Sequence, residues 1–292
     1  MVTSPIRYIG GKHYMAKYIV PIIEAYEHTT YVEPFGGAAH ILLAKKPSTV
    51  EVYNDINDAV ANFFRVVADA EMSQELLRLI SIMPFSRKVF KESIHAVRHE
   101  KDCVKRAFAL FAVSKQSFSG DTLSSSPSWG FAVKDEKQVK SWVNSTKNLV
   151  QAIERMRNVR VECRDFREVL HDYDKPDTLL YCDPPYVLST RCRGYYKHEM
   201  SDDEHREFVN MMLRLSGAAI VSGHWHEIYY KLEKSGWARL DITVKCFSVK
   251  TRGSHNRPTR TEVLWIHPRI AEAVDVNGIL ARATGKKKSQ ER

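Results

Sequence analysis

The sequence predicts an α/β protein, built on a mostly parallel sheet that is interrupted by a mainly helical insertion. Short apolar segments of strand type alternate with segments of helical periodicity, which is typical of α/β folds. The strand-type segments lie at residues 30–32, 50–53, 159–161, 178–182, 218–221 and 261–266. Between the second and the third of them the chain shows helical spacing alone, which indicates an insertion.

The composition is that of an ordinary globular protein. Of the 292 residues, 43% are hydrophobic and 27% are charged, which excludes a fibrous repeat and disorder along the whole chain. A chain of this length buries about 75% of its unfolded surface, so it needs neither disulfides nor a structural metal. Because domains usually contain about 100–200 residues, we expect one core domain and one sizeable insertion.

The charge of the chain suits a polyanionic partner. Lys and Arg number 44 against 35 Asp and Glu, a formal net charge of +9. By itself this charge leaves nucleic acid as a partner and an inert basic surface equally open. The longest apolar run, residues 108–113, is too short to cross a bilayer, so no membrane partner is expected. The five cysteines have no zinc or redox spacing and the first residues no signal peptide, so we expect reduced thiols and a cytoplasmic protein.

The first predicted strand ends in the glycine-rich turn Glu33-Pro34-Phe35-Gly36-Gly37, and a helical pattern follows through Leu43. Glycines at a strand-to-helix turn let the backbone approach a ligand closely. A GxGxxG fingerprint is absent, so the turn disfavours a dinucleotide but is compatible with a nucleoside that lacks a pyrophosphate. A plain turn without a ligand is the alternative.

Two further segments have the residue types of a nucleotide site. Asp55 follows the second strand, where an acid commonly holds ribose hydroxyls; a helix-capping aspartate is the alternative. Near the start of the chain, Arg7-Tyr8-Ile9-Gly10-Gly11-Lys12 combines two glycines with a lysine that could receive a carboxylate. The alternative for that segment is an N-terminal turn.

Helical spacing dominates the insertion. It is interrupted by a stretch at residues 117–130 that is rich in Ser and Gly, which predicts a long loop or hairpin. We therefore assign residues 1–59 and 151–276 to a discontinuous core domain, residues 60–150 to the insertion and residues 277–292 to a basic, disordered tail.

The sharpest chemical signal is Asp183-Pro184-Pro185-Tyr186, directly after the apolar strand at residues 178–182. Ligands of open α/β sheets bind at the carboxyl ends of the strands, so Asp183 is expected to face a crevice. The two prolines stiffen the loop and leave its carbonyls free as acceptors. Two acceptors beside the flat ring of Tyr186 suit an aromatic amine, and a strand-ending turn with a surface tyrosine is the alternative.

No metal site is predicted. Gly223-His224-Trp225-His226 has neither the helical spacing nor the acid that would complete a ligand set. Cys182 lies within an apolar strand, which favours a buried structural thiol over a nucleophile.

Taken together, and in their order along the chain, these motifs resemble those of the Dam-like family of DNA adenine methyltransferases. This family is the alpha group of AdoMet-dependent amino-methyltransferases. The resemblance covers about residues 4–268 and ends with the strand at residues 261–266. It implies a Rossmann-like AdoMet-dependent methyltransferase sheet with a mainly helical inserted target-recognition domain. It also implies a monomeric enzyme of bacterial or phage-infected cells, with restriction–modification, phage self-protection and orphan regulatory methylation all open as its role.

The resemblance implies that the cofactor is S-adenosyl-L-methionine, with Lys12 near its carboxylate and Asp55 at its ribose. The implied cofactor-binding residues are Tyr8, Gly10, Lys12, Glu33, Pro34, Phe35, Gly36, Asp55, Asp165, Phe166 and Asp183. The implied catalytic residues are Asp183, Pro184 and Tyr186, which would hold the target adenine.

Double-stranded DNA is the implied substrate, and its target base must be flipped out of the duplex to reach such a site. In the family the insertion reads the DNA sequence, and its hairpin matches residues 115–131. The predicted DNA-binding residues are Arg87, Lys115, Gln116, Ser117, Phe118, Ser119, Arg191 and Lys197.

Two alternatives to this function remain open. The same acceptor geometry would serve an amino-methyltransferase that acts on RNA or on cytosine, and RNA readers usually stack single strands on aromatic rings. A cytosine C5-methyltransferase is disfavoured because the chain has no Pro-Cys dipeptide. The second alternative is a catalytically inactive DNA-binding relic, against which the complete set Lys12, Asp55, Asp183 and Tyr186 argues.

Overall fold

The computed structural model describes residues 1–8, 10–117, 127–130, 137–190, 198–245 and 259–284. In this part of the chain a seven-stranded sheet has the strand order β3-β2-β1-β4-β5-β7-β6. The strands are β1 Thr30–Glu33, β2 Val50–Asn54, β3 Val159–Glu162, β4 Thr178–Cys182, β5 Ala218–Gly223, β6 Ala238–Lys245 and β7 Thr259–Ile266. Neighbouring strands from β3 to β5 are parallel, whereas β7 is antiparallel to both β5 and β6. The predicted α/β fold with a mostly parallel sheet is confirmed.

Helices flank the sheet and make up most of the described chain between β2 and β3. They are α1 Ala16–Ala25, α2 His40–Ala44, α3 Asp58–Ala68, α4 Ala70–Ile82, α5 Arg87–His99, α6 Cys103–Gln116, α7 Lys137–Val143, α8 Ser145–Met156, α9 Phe166–Tyr173, α10 Asp202–Met212, α11 Tyr230–Lys234, α12 Pro268–Ala273 and α13 Val276–Thr284. Ser201 and Glu204 form a capping box at the start of α10. None of the helices in the described ranges is long and apolar enough to cross a membrane.

Two elements differ from the sequence analysis. Helix α13 lies in the segment predicted to be a disordered tail, so that prediction is wrong for residues 277–284, where Ile279 packs into the core. Residues 285–292 lie outside the described part. Strand β6 was not predicted; it is an edge strand in which Ile242 is buried and its neighbours are more exposed. Its strict alternation of apolar and polar residues was the signal that could have found it.

The core has one hydrophobic cluster on each face of the sheet, because successive strand side chains point to opposite faces. On one face, Tyr31 of β1 and Tyr53 of β2 share a cluster with Phe63, Phe111 and Leu149 of the inserted helices. The helices α3, α6 and α8 therefore pack in the same cluster as the sheet. The boundary of an inserted domain at residue 60 stays a prediction.

On the other face, alternate residues of the same strands pack against α9 and α10. Val32, Val52 and Leu180 share this second cluster with Val169 and Phe208. Both faces of the parallel strands are thus covered, as is usual for parallel sheets.

The strand order reverses between β1 and β4. The chain leaves β1 towards β2 and β3, and β4 then adds to the other side of β1. In open α/β sheets such a switch point opens a crevice at the carboxyl ends of the strands. Glu33 ends β1 and Asp183 follows β4, so two acidic side chains lie at this crevice.

At the opposite end of β2, a charged triad is buried. Glu51 contacts Lys45 at 2.5 Å and accepts hydrogen bonds from Arg155 Nη1 at 2.5 Å and Nη2 at 2.8 Å. The three side chains are only 1–8% exposed. A buried carboxylate with two cationic partners connects β2 to α2 and α8.

Candidate active site

One cavity opens at the carboxyl ends of β1, β2 and β4. Every predicted cofactor-binding residue lines it, from the N-terminal segment through the turn after β1 to Asp183 after β4. Residues that the sequence analysis did not single out complete the lining, among them His40, Ile56, Arg164, Met200 and Glu204. The cavity brings together segments that are far apart in the chain.

The turn after β1 packs tightly against β2. The Gly36 amide donates to the Asn54 carbonyl at 2.7 Å, and the Tyr53 hydroxyl donates to the Gly37 carbonyl at 2.7 Å. Gly37 has φ +49°, a left-handed conformation that favours glycine. A Cβ atom at position 36 would lie 2.2 Å from Cε2 of the Tyr53 ring. The absence of a side chain at Gly36 is therefore a packing requirement.

We expect Gly36→Ala to weaken cofactor binding and to lower the free energy of unfolding by about 1–3 kcal/mol, the usual cost of overpacking a core. The added methyl group must displace either the buried Tyr53 ring or the turn that lines the cavity. Urea unfolding and calorimetric titration with S-adenosylmethionine would measure the two effects. Unchanged values of both would show that this turn is not tightly held.

Asp55 contacts the turn after β1 and also lines the cavity. Its carboxylate accepts the amides of Gly37 and Asn57, each at 2.8 Å, and burial raises its pKa to about 6. A carboxylate has about four lone-pair positions, so two remain for hydroxyl donors. The N-cap of α3 is Asn57 rather than Asp55, so the helix-capping alternative for Asp55 is wrong.

Aromatic rings line the side of the cavity near α9. The Phe35 and Phe166 ring centroids lie 5.2 Å apart, and both rings contact Phe208 behind them. Asp165 caps α9 through the Arg167 amide and pairs with the Arg167 guanidinium at 2.9 Å. The surface beside Phe166 offers an apolar wall with a carboxylate at its rim.

Glu33 is a buried acid in the cavity wall. Its Oε1 accepts the Tyr31 hydroxyl at 2.7 Å, and burial raises its pKa to about 8. The carboxyl group is therefore mostly neutral at pH 7. A positively charged ligand in the cavity would favour its ionised form.

Asp183 forms an ion pair with Lys12 across the cavity. The Lys12 ammonium lies 2.8 Å from Asp183 Oδ1 and donates to the Gly10 carbonyl at 2.9 Å. Burial raises the pKa of Asp183 to about 6, and Lys12 opposes that rise. The sequence analysis assigned Lys12 to a cofactor carboxylate, whereas its ammonium here contacts the catalytic candidate.

Tyr186 lies next to this pair. The Lys12 ammonium is 4.7 Å from the centre of the Tyr186 ring, and the His224 ring meets it edge-on at 4.6 Å. The Tyr186 hydroxyl donates to Glu262 at 2.7 Å. Pro184 is buried, and Pro185 rather than Pro184 lines the cavity.

Four residues around Tyr186 were missed by the sequence analysis as site residues: Tyr14, His224, Arg260 and Glu262. His224 was considered only as a metal ligand. The signal for Glu262 was an acid directly before the apolar run at residues 263–266 of β7, and a fully buried acid is rare unless it is partnered. Tyr14 and Arg260 carried no signal, because only the fold brings them to Glu262.

The predicted DNA-binding residues fall into three groups. Arg87 is exposed, with its guanidinium 4.6 Å from the Trp129 ring, and Lys115 is half-buried, which lowers its pKa to about 8. Gln116 and Ser117 are buried; the Gln116 side chain accepts the Ser86 amide at 3.2 Å. Their burial suits holding the base of the loop rather than direct contact with DNA bases. Phe118, Ser119, Arg191 and Lys197 lie outside the described residues.

Two further features of the described residues concern metal ligands and the thiol of Cys182. Within the described ranges, no group of three or more His, Cys, Asp or Glu side chains is placed to hold a metal ion. Cys182 is fully buried next to Asp183, and burial raises the pKa of its thiol well above its usual value. A thiol with a raised pKa is a poor nucleophile.

Comparison with known proteins identifies what this chain is similar to. A family model described as D12 class N6 adenine-specific DNA methyltransferase matches residues 8–235. The type II methyltransferase M.FokI of Planomicrobium okeanokoites is 25% identical over 195 residues, which is 65% of this chain. The matched region is 30% of the length of that relative.

Proposed function

Because the chain belongs to the D12 class of N6 adenine-specific DNA methyltransferases, we propose that it methylates the N6 amine of adenine at specific sites in duplex DNA. The methyl donor in this proposal is S-adenosyl-L-methionine. The type II methyltransferase among its relatives supports a role in restriction–modification.

The observation that carries the proposal is the position of Asp183. Its carboxylate lines the cavity. The same carboxylate pairs with the Lys12 ammonium, which lies over the ring of Tyr186. One acid therefore borders a cofactor-sized cavity on one side and a stacking surface on the other. A methyl transfer between a cofactor and a base requires such a shared border.

The cavity residues fit S-adenosylmethionine, which when bound supplies an electrophilic methyl group on a sulfonium. Glu33 offers a carboxyl group that a cation would ionise, and Asp55 retains acceptor positions for ribose hydroxyls. The apolar wall of Phe35 and Phe166 suits a purine ring. The acids Glu33, Asp55 and Asp183 favour a positively charged ligand over a dinucleotide with its pyrophosphate.

The adenine amine is a poor nucleophile because its lone pair is delocalised into the ring. In our proposal, Asp183 and the Pro184 carbonyl accept its two hydrogens and favour a tetrahedral nitrogen with a localised lone pair. Positioning this nitrogen in line with the methyl group would lower the reaction barrier by up to about 7–11 kcal/mol, the range for well-oriented systems. Asp183 Oδ1 or Oδ2 then receives the proton or passes it to water.

The target base would be flipped out of the duplex, which costs a few kcal/mol. Stacking on Tyr186 would return about 1–3 kcal/mol. Since Lys12 covers one face of that ring and contacts Asp183, an adenine on this face must displace its ammonium. The displaced ammonium would be free to pair with the cofactor carboxylate, the role that the resemblance implies for Lys12.

The test is transfer of radiolabelled methyl groups from S-adenosylmethionine to unmethylated duplex DNA and to RNA, followed by mass analysis of the nucleosides. We expect N6-methyladenine in DNA. Labelled cytosine, or label in RNA alone, would move the substrate while keeping the cofactor site. No label in either nucleic acid, with normal cofactor binding, would favour a DNA-binding relic of the fold.

A further inference from the structure

Glu262 is a buried acid beside the proposed base-binding site. Strand β7 is antiparallel to β5, with Val263 opposite Gly223, and Cys182 of β4 pairs with Val221 of β5. The first half of β7 therefore lies at the same sheet edge as the loop after β4. The Glu262 side chain is 1% exposed and belongs to no part of the cofactor cavity lining.

Three side chains hold both oxygens of Glu262. The Tyr186 hydroxyl donates to Oε2 at 2.7 Å, and the Tyr14 hydroxyl donates to Oε1 at 2.8 Å. Arg260 Nε lies 2.8 Å from Oε1, and the same guanidinium also donates to the Tyr14 hydroxyl. A buried carboxylate is stable only with partners of this kind. Burial raises the pKa of Glu262, but Lys12, Arg260 and the two phenols lower it by more. The pKa therefore lies below its usual value, and the group is an anion at neutral pH.

We propose that Glu262 is a positioning residue for methyl transfer, which fixes the Tyr186 ring through its hydroxyl and balances the charge of Lys12 beside Asp183. This inference rests on the proposed function. It adds Glu262 of β7, which does not touch the reacting groups and acts on them through the Tyr186 ring and through its own charge.

The hydrogen bond from Tyr186 to Glu262 restricts the orientation of the Tyr186 ring. Tyr186 follows two prolines, so its backbone is stiff, and its ring orientation depends on two side-chain torsions. A hydrogen bond at the far end of the ring fixes the position of the hydroxyl and so restricts the first torsion. The hydroxyl lies on the axis of the second torsion, and the His224 ring packed edge-on against Tyr186 restricts that rotation. Because Tyr14 and Arg260 hold the other oxygen, the Glu262 carboxylate cannot turn away from Tyr186. A displacement of about 1 Å at a reacting group can cost about 10²-fold in rate, so this restriction is worth a measurable factor.

The negative charge of Glu262 also acts on Asp183. Several ionisable groups of the described residues face or influence Asp183: Lys12 from the N-terminal segment, Glu33 from β1, Glu262 from β7, and the phenols of Tyr14, Tyr181 and Tyr186. After burial and Lys12, the like charge of Glu262 contributes to the pKa of Asp183 by raising it. Removing that charge must therefore lower the pKa of Asp183.

The decisive variant is Glu262→Gln, which keeps the shape but removes the charge. We expect kcat to fall by about ten- to hundred-fold, while the KM for S-adenosylmethionine changes by less than about twofold. Asp183 accepts the amine hydrogens as a carboxylate, so activity declines as pH falls through its pKa. With that pKa lowered, the acidic limb of the pH–rate profile of the variant should move to lower pH.

Glu162→Gln is the matched control. Glu162 accepts the Tyr173 hydroxyl at 2.8 Å, a tyrosine–glutamate bond of the same chemistry that lies outside the cavity lining. We expect it to leave kcat and the acidic limb unchanged. Equal losses in both variants would show that Glu262 acts only through general stability.

A second variant keeps the proposal testable if Glu262→Gln does not fold. Tyr186→Phe retains the ring and removes only the hydroxyl, so it should lower kcat through the same lost tether. In the Tyr186→Phe background, adding Glu262→Gln should cost less than it does alone, because coupled residues are not additive.

The outcomes separate the inference from the proposed function. If the wild-type protein makes N6-methyladenine and Glu262→Gln matches its kcat and pH profile, the inference is overturned and the function stands. Wild-type kcat in Tyr186→Phe would overturn the tether in the same way. If the wild-type protein makes no methylated base with DNA or RNA, the function falls and the inference with it.

Discussion

Asp183→Asn is expected to lower methyl transfer to DNA by about 10²–10⁴-fold, the usual loss on removing a positioned acid–base group. The asparagine keeps one carbonyl acceptor but replaces the second with an NH₂ donor, which would repel an amine hydrogen of adenine. It also removes the partner of the buried Lys12 ammonium. Single-turnover transfer of radiolabelled methyl groups would measure the loss.

Cofactor binding is expected to survive in this variant, because the turn after β1, Asp55 and Phe166 are unchanged. Calorimetric titration with S-adenosylmethionine checks this point. Asp203→Asn is a suitable control, since Asp203 is 94% exposed on α10, where it pairs with Arg206. Wild-type turnover in Asp183→Asn would refute the assignment of Asp183 as the catalytic acceptor.

The largest loss of stability is expected from Glu51→Gln. Removing one member of a buried ion pair usually costs about 3–5 kcal/mol, because the remaining charge stays buried without its partner. Here two cations lose their carboxylate, the Lys45 ammonium at 2.5 Å and the Arg155 guanidinium. Both cationic side chains are buried, with exposures of 1% and 8%.

Urea unfolding would measure this effect as a lower transition midpoint. Glu75→Gln is the control, because Glu75 forms an exposed pair with Arg78, and such surface pairs contribute little. We expect no measurable shift in the control. Equal midpoints for Glu51→Gln and the wild-type protein would show that the triad does not stabilise the fold.

Much of the fold could be predicted from local sequence. The strand at residues 178–182 has continuous apolar character, and the spacing of Ser201 and Glu204 is typical of a helix start, here that of α10. Such signals succeed because they depend on neighbouring residues alone. The helix α13 was missed because half-buried helices have weaker patterns and depend on what they pack against, whereas β6 was missed although its sequence alternates strictly.

The candidate site was predictable where it follows directly from strand ends. Glu33, Asp55 and Asp183 each follow or end a predicted strand, and parallel strands present their carboxyl ends at one edge. The predictions for Gln116 and Ser117 illustrate the limit of this approach. Polar residues in a serine-rich loop suggested contact with DNA, but both side chains are buried at the base of that loop.

The sequence by itself determined the class of fold, the order of the motifs and the residue types at each strand end. Only the tertiary structure decided that Lys12 pairs with Asp183, and that Glu262 accepts hydrogen bonds from both Tyr186 and Tyr14. These partners come from distant segments, which meet because β4 adds beside β1 and β7 inserts between β5 and β6. Local periodicity records which face of a strand is buried, but not which strand lies next to it, so contacts across strands follow from the packing of the whole sheet.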